Sequence, residues 1–245
     1  MTILLGIATA TSQVGVALAG PEGPIASLHV RQGRRHAELL TPAIETLTRM
    51  AGIGTPEIGR IAVDIGPGLF TGLRVGVATA KALASALDIP IVGCSSLDLL
   101  AHPHRREGRV VAAVVDAKRG EVFWALYRPA PEGMTPVTEA TVSAPDVLAL
   151  AIEASAGGPN RPAVLAVGDG ARRYADVLGG LVGVELAGPA DDHPSAAVLV
   201  ELAATRPSVP LAEITPRYLR GADVRIGWQQ RPEVAEVAEV AVRHG

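Results

Sequence analysis

Apolar positions in this chain form short strand-like runs and longer stretches of helical period, punctuated by glycine and proline. Residues 3–8 and 14–19 are aliphatic or β-branched and flank a Thr/Ser/Gln turn at 9–13, which predicts a hairpin. PEGP at 21–24 is a turn, and IASLHV at 25–30 predicts a third strand. From 34 to 52 the period becomes helical, with Leu40, Ile44, Leu47 and Ala51 on one face. Pro42 has no N–H for the carbonyl of Glu38, so this helix either kinks there or starts with Thr41 as cap and Pro42 at its first position. RIAVDIG (60–66) predicts a strand, 72–87 a second helix, and IPIVGC (89–94) another strand; SLDLLAH then reads as a helix capped by Ser95 or Ser96.

HPHRREG (102–108) breaks the pattern and suggests a boundary between lobes. VVAAVVDAKRGEVFWALYRP (110–129) predicts a second hairpin around a DAKRGE turn. A helix at about 144–155, a strand entering a glycine turn in PAVLAVGDGA (162–171), and helices at 171–178 and 193–206 follow. The segment 223–245 ends in EVAEVAEVAVRHG and reads as a frayed helix or flexible tail. The hairpin-first pattern thus occurs twice, near 3 and near 110. Two related α/β lobes are expected: residues 1–103 and 104–190, with 191–222 packing back on them.

Composition sharpens this. At 48% apolar and 19% charged residues the chain is expected to fold, and with only 3% aromatics its core must be small aliphatic side chains on closely spaced elements. A formal charge of −3 gives no global pull toward nucleic acid or anionic membrane, so any RNA would be held mainly by a partner. The single cysteine, Cys94, allows neither an internal disulfide nor a thiolate metal cluster. Without a basic leader or about 18 uninterrupted apolar residues, the expectation is a cytoplasmic protein that does not span a membrane.

The stretch GPGLFTGLRVGVATAKALASAL (66–87) admits two readings. As a phosphate loop it has Gly66, Gly68 and Gly72 between a strand and a helix, but the G-x-G-x-x-x-G spacing is one residue too long and no Gly-Lys-Ser/Thr follows. As a packing surface, Gly72, Gly76, Ala80 and Ala84 form a ridge without bulk that lets another element come close. Whether that element belongs to the same chain or to a partner is open at this level.

Candidate catalysts are sparse. The six histidines include no HExxH and no helical i, i+4 pair; His102 and His104 read as solvated linker residues and His36 as a capping or surface histidine. Cys94, Ser95 and Ser96 read as small strand-end residues without a nucleophile elbow. Asp116, with Lys118, Arg119 and Glu121, reads as a charged hairpin turn that could also hold phosphate or metal, and Gly168-Asp169-Gly170 as a strand-end ligand turn.

GPGLFTGLRVGVATAKALA, preceded by IAVDI and followed by IPIVGCSSLDLLA, resembles the signature of the TsaB (YeaZ) family. RRHAELLTPAI, DAKRGEVFWALY, VLAVGDGA and PRYLRGAD agree with it, covering most of residues 1–222. The resemblance implies a duplicated actin-like, Hsp70-like (ASKHA) α/β fold, two lobes each with a mixed sheet starting in an antiparallel hairpin. It also implies a non-catalytic paralogue of the TsaD threonylcarbamoyltransferase, with no cofactor and no metal. Such a protein supports N6-threonylcarbamoyladenosine formation at adenosine 37 of tRNAs that read ANN codons. Its expected partners are a TsaD-like catalytic subunit and a TsaE-like ATPase, with tRNA met only through the complex and a homodimer possible.

Two departures from related motifs bear on chemistry. The metal-binding HxxxH of TsaD falls here on Ser96 and Leu100, and the aspartate that usually ends the first strand is Ala8. By the same resemblance the first-lobe helices form the partner seam. On the first helix the candidates are His36, Leu39, Leu40, Ala43, Ile44 and Leu47. On the second they are Leu69, Phe70, Leu73, Arg74, Gly76, Val77 and Ala80. Residual ligand turns would be Asp116, Lys118, Gly168 and Gly170. The rival readings are an actin-like kinase, a nucleotide-binding regulator and a metallopeptidase.

Overall fold

A computed structural model describes residues 2–31, 33, 35–156 and 164–220. The tail expected at 223–245 lies outside the described residues. The first sheet contains β1 (Ile3–Ala8), β2 (Gln13–Gly20), β3 (Gly23–Arg31), β4 (Ile58–Asp64) and β5 (Ile91–Cys94), in the order β3-β2-β1-β4-β5. β1, β2 and β3 are antiparallel, while β4 and β5 join in parallel. The second sheet repeats the plan with β6 (Val110–Lys118), β7 (Glu121–Ala130), β8 (Gly133–Pro136), β10 (Val164–Val167) and β11 (Val184–Leu186), ordered β11-β10-β6-β7-β8. β9 (Thr141–Ser143) adds a further pairing to β7. Equivalent strands thus hold equivalent places, an internal duplication in the backbone itself.

The helices form layers. α1 (His36–Ala51) and α2 (Phe70–Leu87) cover the outer face of the first sheet, where Leu40, Ala43, Leu47, Val77, Ala80 and Ala84 meet the strands. α4 (Pro145–Ala156), α5 (Asp169–Arg173) and α6 (Ala175–Leu178) cover the outer face of the second. The inner faces are covered crosswise. α3 (Ser96–Ala101) follows the last strand of the first sheet yet buries Leu97, Leu100 and Ala101 against the second. α7 (Ala196–Thr205) follows the second sheet and buries Leu199, Val200 and Ala203 against the first. Each lobe's closing helix therefore belongs to the other lobe's core, which ties the two together.

α1 runs continuously through Pro42, which is exposed, so the helix tolerates one missing hydrogen bond rather than starting at Thr41. Ser95 is the cap of α3, its Oγ accepting from Leu97 N–H at 3.3 Å. The helix expected at 171–178 is two short pieces separated at Tyr174. β8, β9 and β11 are too short to show a period and owe their strand state to pairing with β7 and β10.

Candidate functional site

The glycine-rich start of α2 closes on the tip of the first hairpin. A Cβ on Gly68 would stand 2.1 Å from the Ala10 carbonyl oxygen, one on Gly72 2.1 Å from that of Thr9, and one on Gly76 2.1 Å from Thr9 Oγ1. Hydrogen bonds hold this approach: Leu69 N–H donates to the Ala10 carbonyl at 2.7 Å, and Thr9 Oγ1 donates to that of Gly72 at 2.8 Å. His36 Nε2 donates to the Thr11 carbonyl at 2.7 Å. The bare ridge is therefore an inner surface, and its partner is the chain's own β1–β2 turn. Only hydrogen at Cα admits a backbone so near.

The residues expected at the seam divide by burial. His36, Leu40, Ala43, Leu47, Leu73, Gly76, Val77 and Ala80 are buried within the chain. Helical period locates an apolar stripe, and here that stripe is spent on the chain's own sheet. Leu39, Ile44 and Leu69 are half-buried, while Phe70 and Arg74 are exposed. The outward face of α2 carries Thr71, Arg74, Ala78, Ala82 and Ser85, so it too is nearly free of bulk. Beside it α1 exposes Ala37, Thr41, Pro42 and Glu45.

The second lobe repeats the closure. After β10, Gly168 takes φ +106°, and a Cβ there would stand 2.0 Å from the Val114 carbonyl oxygen; one on Gly170 would stand 2.9 Å from the backbone of Val115. These two glycines serve contact with β6. Asp116 is buried rather than solvated: its N–H donates to Asp169 Oδ1 at 2.9 Å, and Lys118 Nζ donates to its Oδ2 at 2.6 Å. Burial raises the Asp169 carboxyl to about 6.

The histidine expectations also change. His102 and His104 are buried in a 3₁₀ turn, His102 near Glu201 at 3.3 Å and His104 donating to Glu107 at 2.6 Å. His36 is a core residue holding a turn, not a surface cap. Ser96 Oγ donates to Asp64 Oδ1 at 2.6 Å, and Gly66 N–H donates to the same oxygen at 2.9 Å. Asp64 is fully buried, and that burial lifts its carboxyl to about 7. Leu100 belongs to the core of the second lobe. Among the described residues no three His, Cys, Asp or Glu side chains converge as a metal-ligand set.

Between the lobes lies a cleft of about 450 Å³. Its walls are the start of α2 (Gly68–Phe70, with Arg74), the β6–β7 turn (Asp116–Arg119, with Phe123), and the segment Arg217–Arg220. Asp116 and Lys118 thus line this cleft, whereas Gly168 and Gly170 are not among its lining residues. Phe123, Arg217, Tyr218 and Arg220 escaped sequence reasoning, since PRYLRGAD stood out as a family stretch without a role. The signal was available in composition: the chain has only two phenylalanines, and both line this cleft.

Comparison with known proteins fits this architecture. The family described as TsaD, tRNA N6-adenosine threonylcarbamoyltransferase, matches residues 27–224. The proteins named TsaB from Bacillus subtilis (strain 168) and Escherichia coli (strain K12) are 37% and 34% identical over 128 and 127 residues. The chain belongs to the TsaB (YeaZ) branch of the TsaD family.

Those TsaB matches cover 52% and 51% of this chain, and 56% and 54% of the two relatives, so the likeness spans about half of each. YeaZ from Pseudomonas aeruginosa is similar throughout, with a TM-score of 0.74 at 28% identity, covering 89% of this chain and all 100% of that one. The duplicated α/β fold expected from the TsaB resemblance, with each mixed sheet starting in an antiparallel hairpin, is the observed one. No helix among the described residues is long and apolar enough to cross a membrane.

Proposed function

We propose that this chain acts in N6-threonylcarbamoyladenosine formation on tRNA as a non-catalytic subunit. It binds and stabilises a TsaD-like catalytic subunit, a TsaE-like ATPase joins them, and tRNA is modified within that assembly. The names of the TsaB relatives support the pathway. The observation that carries the subunit role is the outward α1–α2 face. Its row of Thr71, Ala78, Ala82 and Ser85 lets a partner helix come close with little side-chain entropy to lose. A second copy of the chain can take the same face when the partner is absent.

The positions where related enzymes carry chemistry support the non-catalytic reading. Ala8 ends β1, Ser96 is engaged by Asp64, and Leu100 is core. Affinity capture of the tagged full chain with mass spectrometry tests the role, together with threonylcarbamoyl transfer reconstituted with and without it. Recovery of a TsaD-like protein, and transfer that needs both subunits, is expected. Transfer or ATP turnover by the purified chain alone overturns the reading.

A further inference from the structure

The interlobe cleft is chemically unlike the rest of the molecule. The whole chain has 22 Lys and Arg against 25 Asp and Glu, yet five cations line the cleft with a single carboxylate, Asp116. That carboxylate is committed to Lys118 at 2.6 Å and stands 3.5 Å from Arg173. Arg220 pairs with Glu121. Arg217 is exposed, and its guanidinium makes no hydrogen bond or ion pair with any described residue. Arg217 therefore gives the cleft a positive charge that no carboxylate lining it balances.

Backbone geometry points the same way. Lys118 and Arg119 both sit in the left-handed region, at φ +63° and +57°, before Gly120. A hairpin turn of that shape is met without strain by Asn-Gly. Here it carries two cationic side chains, and both line the cleft.

Aromatic surface completes the set. In a chain with 3% aromatic residues, Phe70, Phe123 and Tyr218 gather at this one place. Phe70 and Tyr218 remain 46% and 45% exposed, with ring centroids 5.2 Å apart. Arg74 ties them together, its guanidinium 3.9 Å from the Phe70 centroid and its Nε donating to the Tyr218 hydroxyl at 3.1 Å. Exposed rings beside the unpaired Arg217 suit a ligand with both a flat face and a phosphate. An acidic peptide would use the charges and leave the rings idle.

We propose that the cleft binds single-stranded RNA, seating one nucleotide with its phosphate among Lys118, Arg119 and Arg217 and its base on the Phe70–Tyr218 rim. The volume of about 450 Å³ is ample for one such unit. The choice of RNA among anionic aromatic ligands rests on the function proposed above, and the contact gives this subunit a hold of its own on the substrate.

Fluorescence anisotropy of the full chain with a labelled oligoadenylate of about ten nucleotides tests this. Arg217→Ala and Tyr218→Ala alter exposed side chains, and thermal melting checks that both still fold. Arg217→Ala is expected to weaken binding about threefold to tenfold and to lower the salt slope by about one. Tyr218→Ala is expected to weaken it about tenfold with the slope unchanged. Arg49→Ala, on an exposed position in the last turn of α1, should bind like the parent. Cleft variants that bind as tightly as the parent overturn the proposal. So does AMP that binds as tightly as the oligonucleotide, or polyglutamate that displaces it at equal charge, since the cleft then takes a mononucleotide or an acidic peptide. Because the assay contains only the chain and RNA, its failure leaves the partner reading standing, and failure to capture a catalytic partner leaves the RNA contact standing.

Discussion

Thr9 Oγ1 occupies the space that a Cβ on residue 76 would need, at 2.1 Å, while it donates to the Gly72 carbonyl at 2.8 Å. One hydroxyl thereby holds α2 against the first hairpin and excludes every side chain from position 76. Gly76→Ala gains helix propensity of about 1 kcal/mol but must displace a buried, hydrogen-bonded threonine. A net loss of about 1–3 kcal/mol is expected in urea unfolding. Gly76→Leu should give little folded protein, so it cannot report on partner binding; an Ala variant as stable as the parent would refute the packing account.

Substitutions on the opposite face of α2 should separate folding from assembly. Ala78 and Ala82 are exposed, so Ala82→Arg is expected to change stability by no more than about 0.5 kcal/mol. It should nevertheless abolish capture of a TsaD-like partner by placing a long charged side chain in a close helix contact. Wild-type yield of the complex with this variant would move the interface elsewhere.

The buried carboxyl of Asp64 makes a pH prediction. Its folded value of about 7 lies above the usual 3.8, so the folded state holds this proton more tightly than the unfolded chain. Its contribution is fully present below about pH 4 and is lost as pH rises through 7. His193, lowered to about 4 by burial, works in the opposite direction, so the informative quantity is the difference between variant and parent. Asp64→Asn should gain stability relative to the parent from about pH 4 to 7 and level off above, by at most about 4 kcal/mol. A pH-independent difference in chemical denaturation would contradict the assignment.

Asp98 on α3 joins the two halves: it accepts from the Tyr127 hydroxyl on β7 at 2.9 Å and from Arg206 after α7 at 2.9 Å. Asp98→Ala is expected to cost about 1–3 kcal/mol, and Tyr127→Phe about 1 kcal/mol. Because the two changes remove one shared bond, the double variant should lose less than the sum, which a double-mutant cycle measures.

Much of the architecture was legible in the chain. Aliphatic and β-branched runs broken by turn residues in 3–30 and 110–129 marked both hairpins, because strands buried on both faces read as unbroken apolar stretches, and helical period marked α1, α2 and α7. β8, β9 and β11 left no such signal. The candidate site was legible only in fragments: Asp116 and Lys118 stood out as a charged turn, whereas Arg217 and Tyr218, a hundred residues further on, carried no local pattern.

By itself, the order of residues determined the duplicated α/β plan and the presence of a side-chain-poor ridge on the second helix. Periodicity is a local property, and it survives without knowledge of neighbours. Only the tertiary structure decided that the ridge faces Thr9 rather than a partner, that α3 and α7 exchange lobes, and that scattered cations and rings converge in one cleft. Which face is covered, and which distant charges meet, depends on contacts between segments far apart in the chain, and net charge averages over all of them.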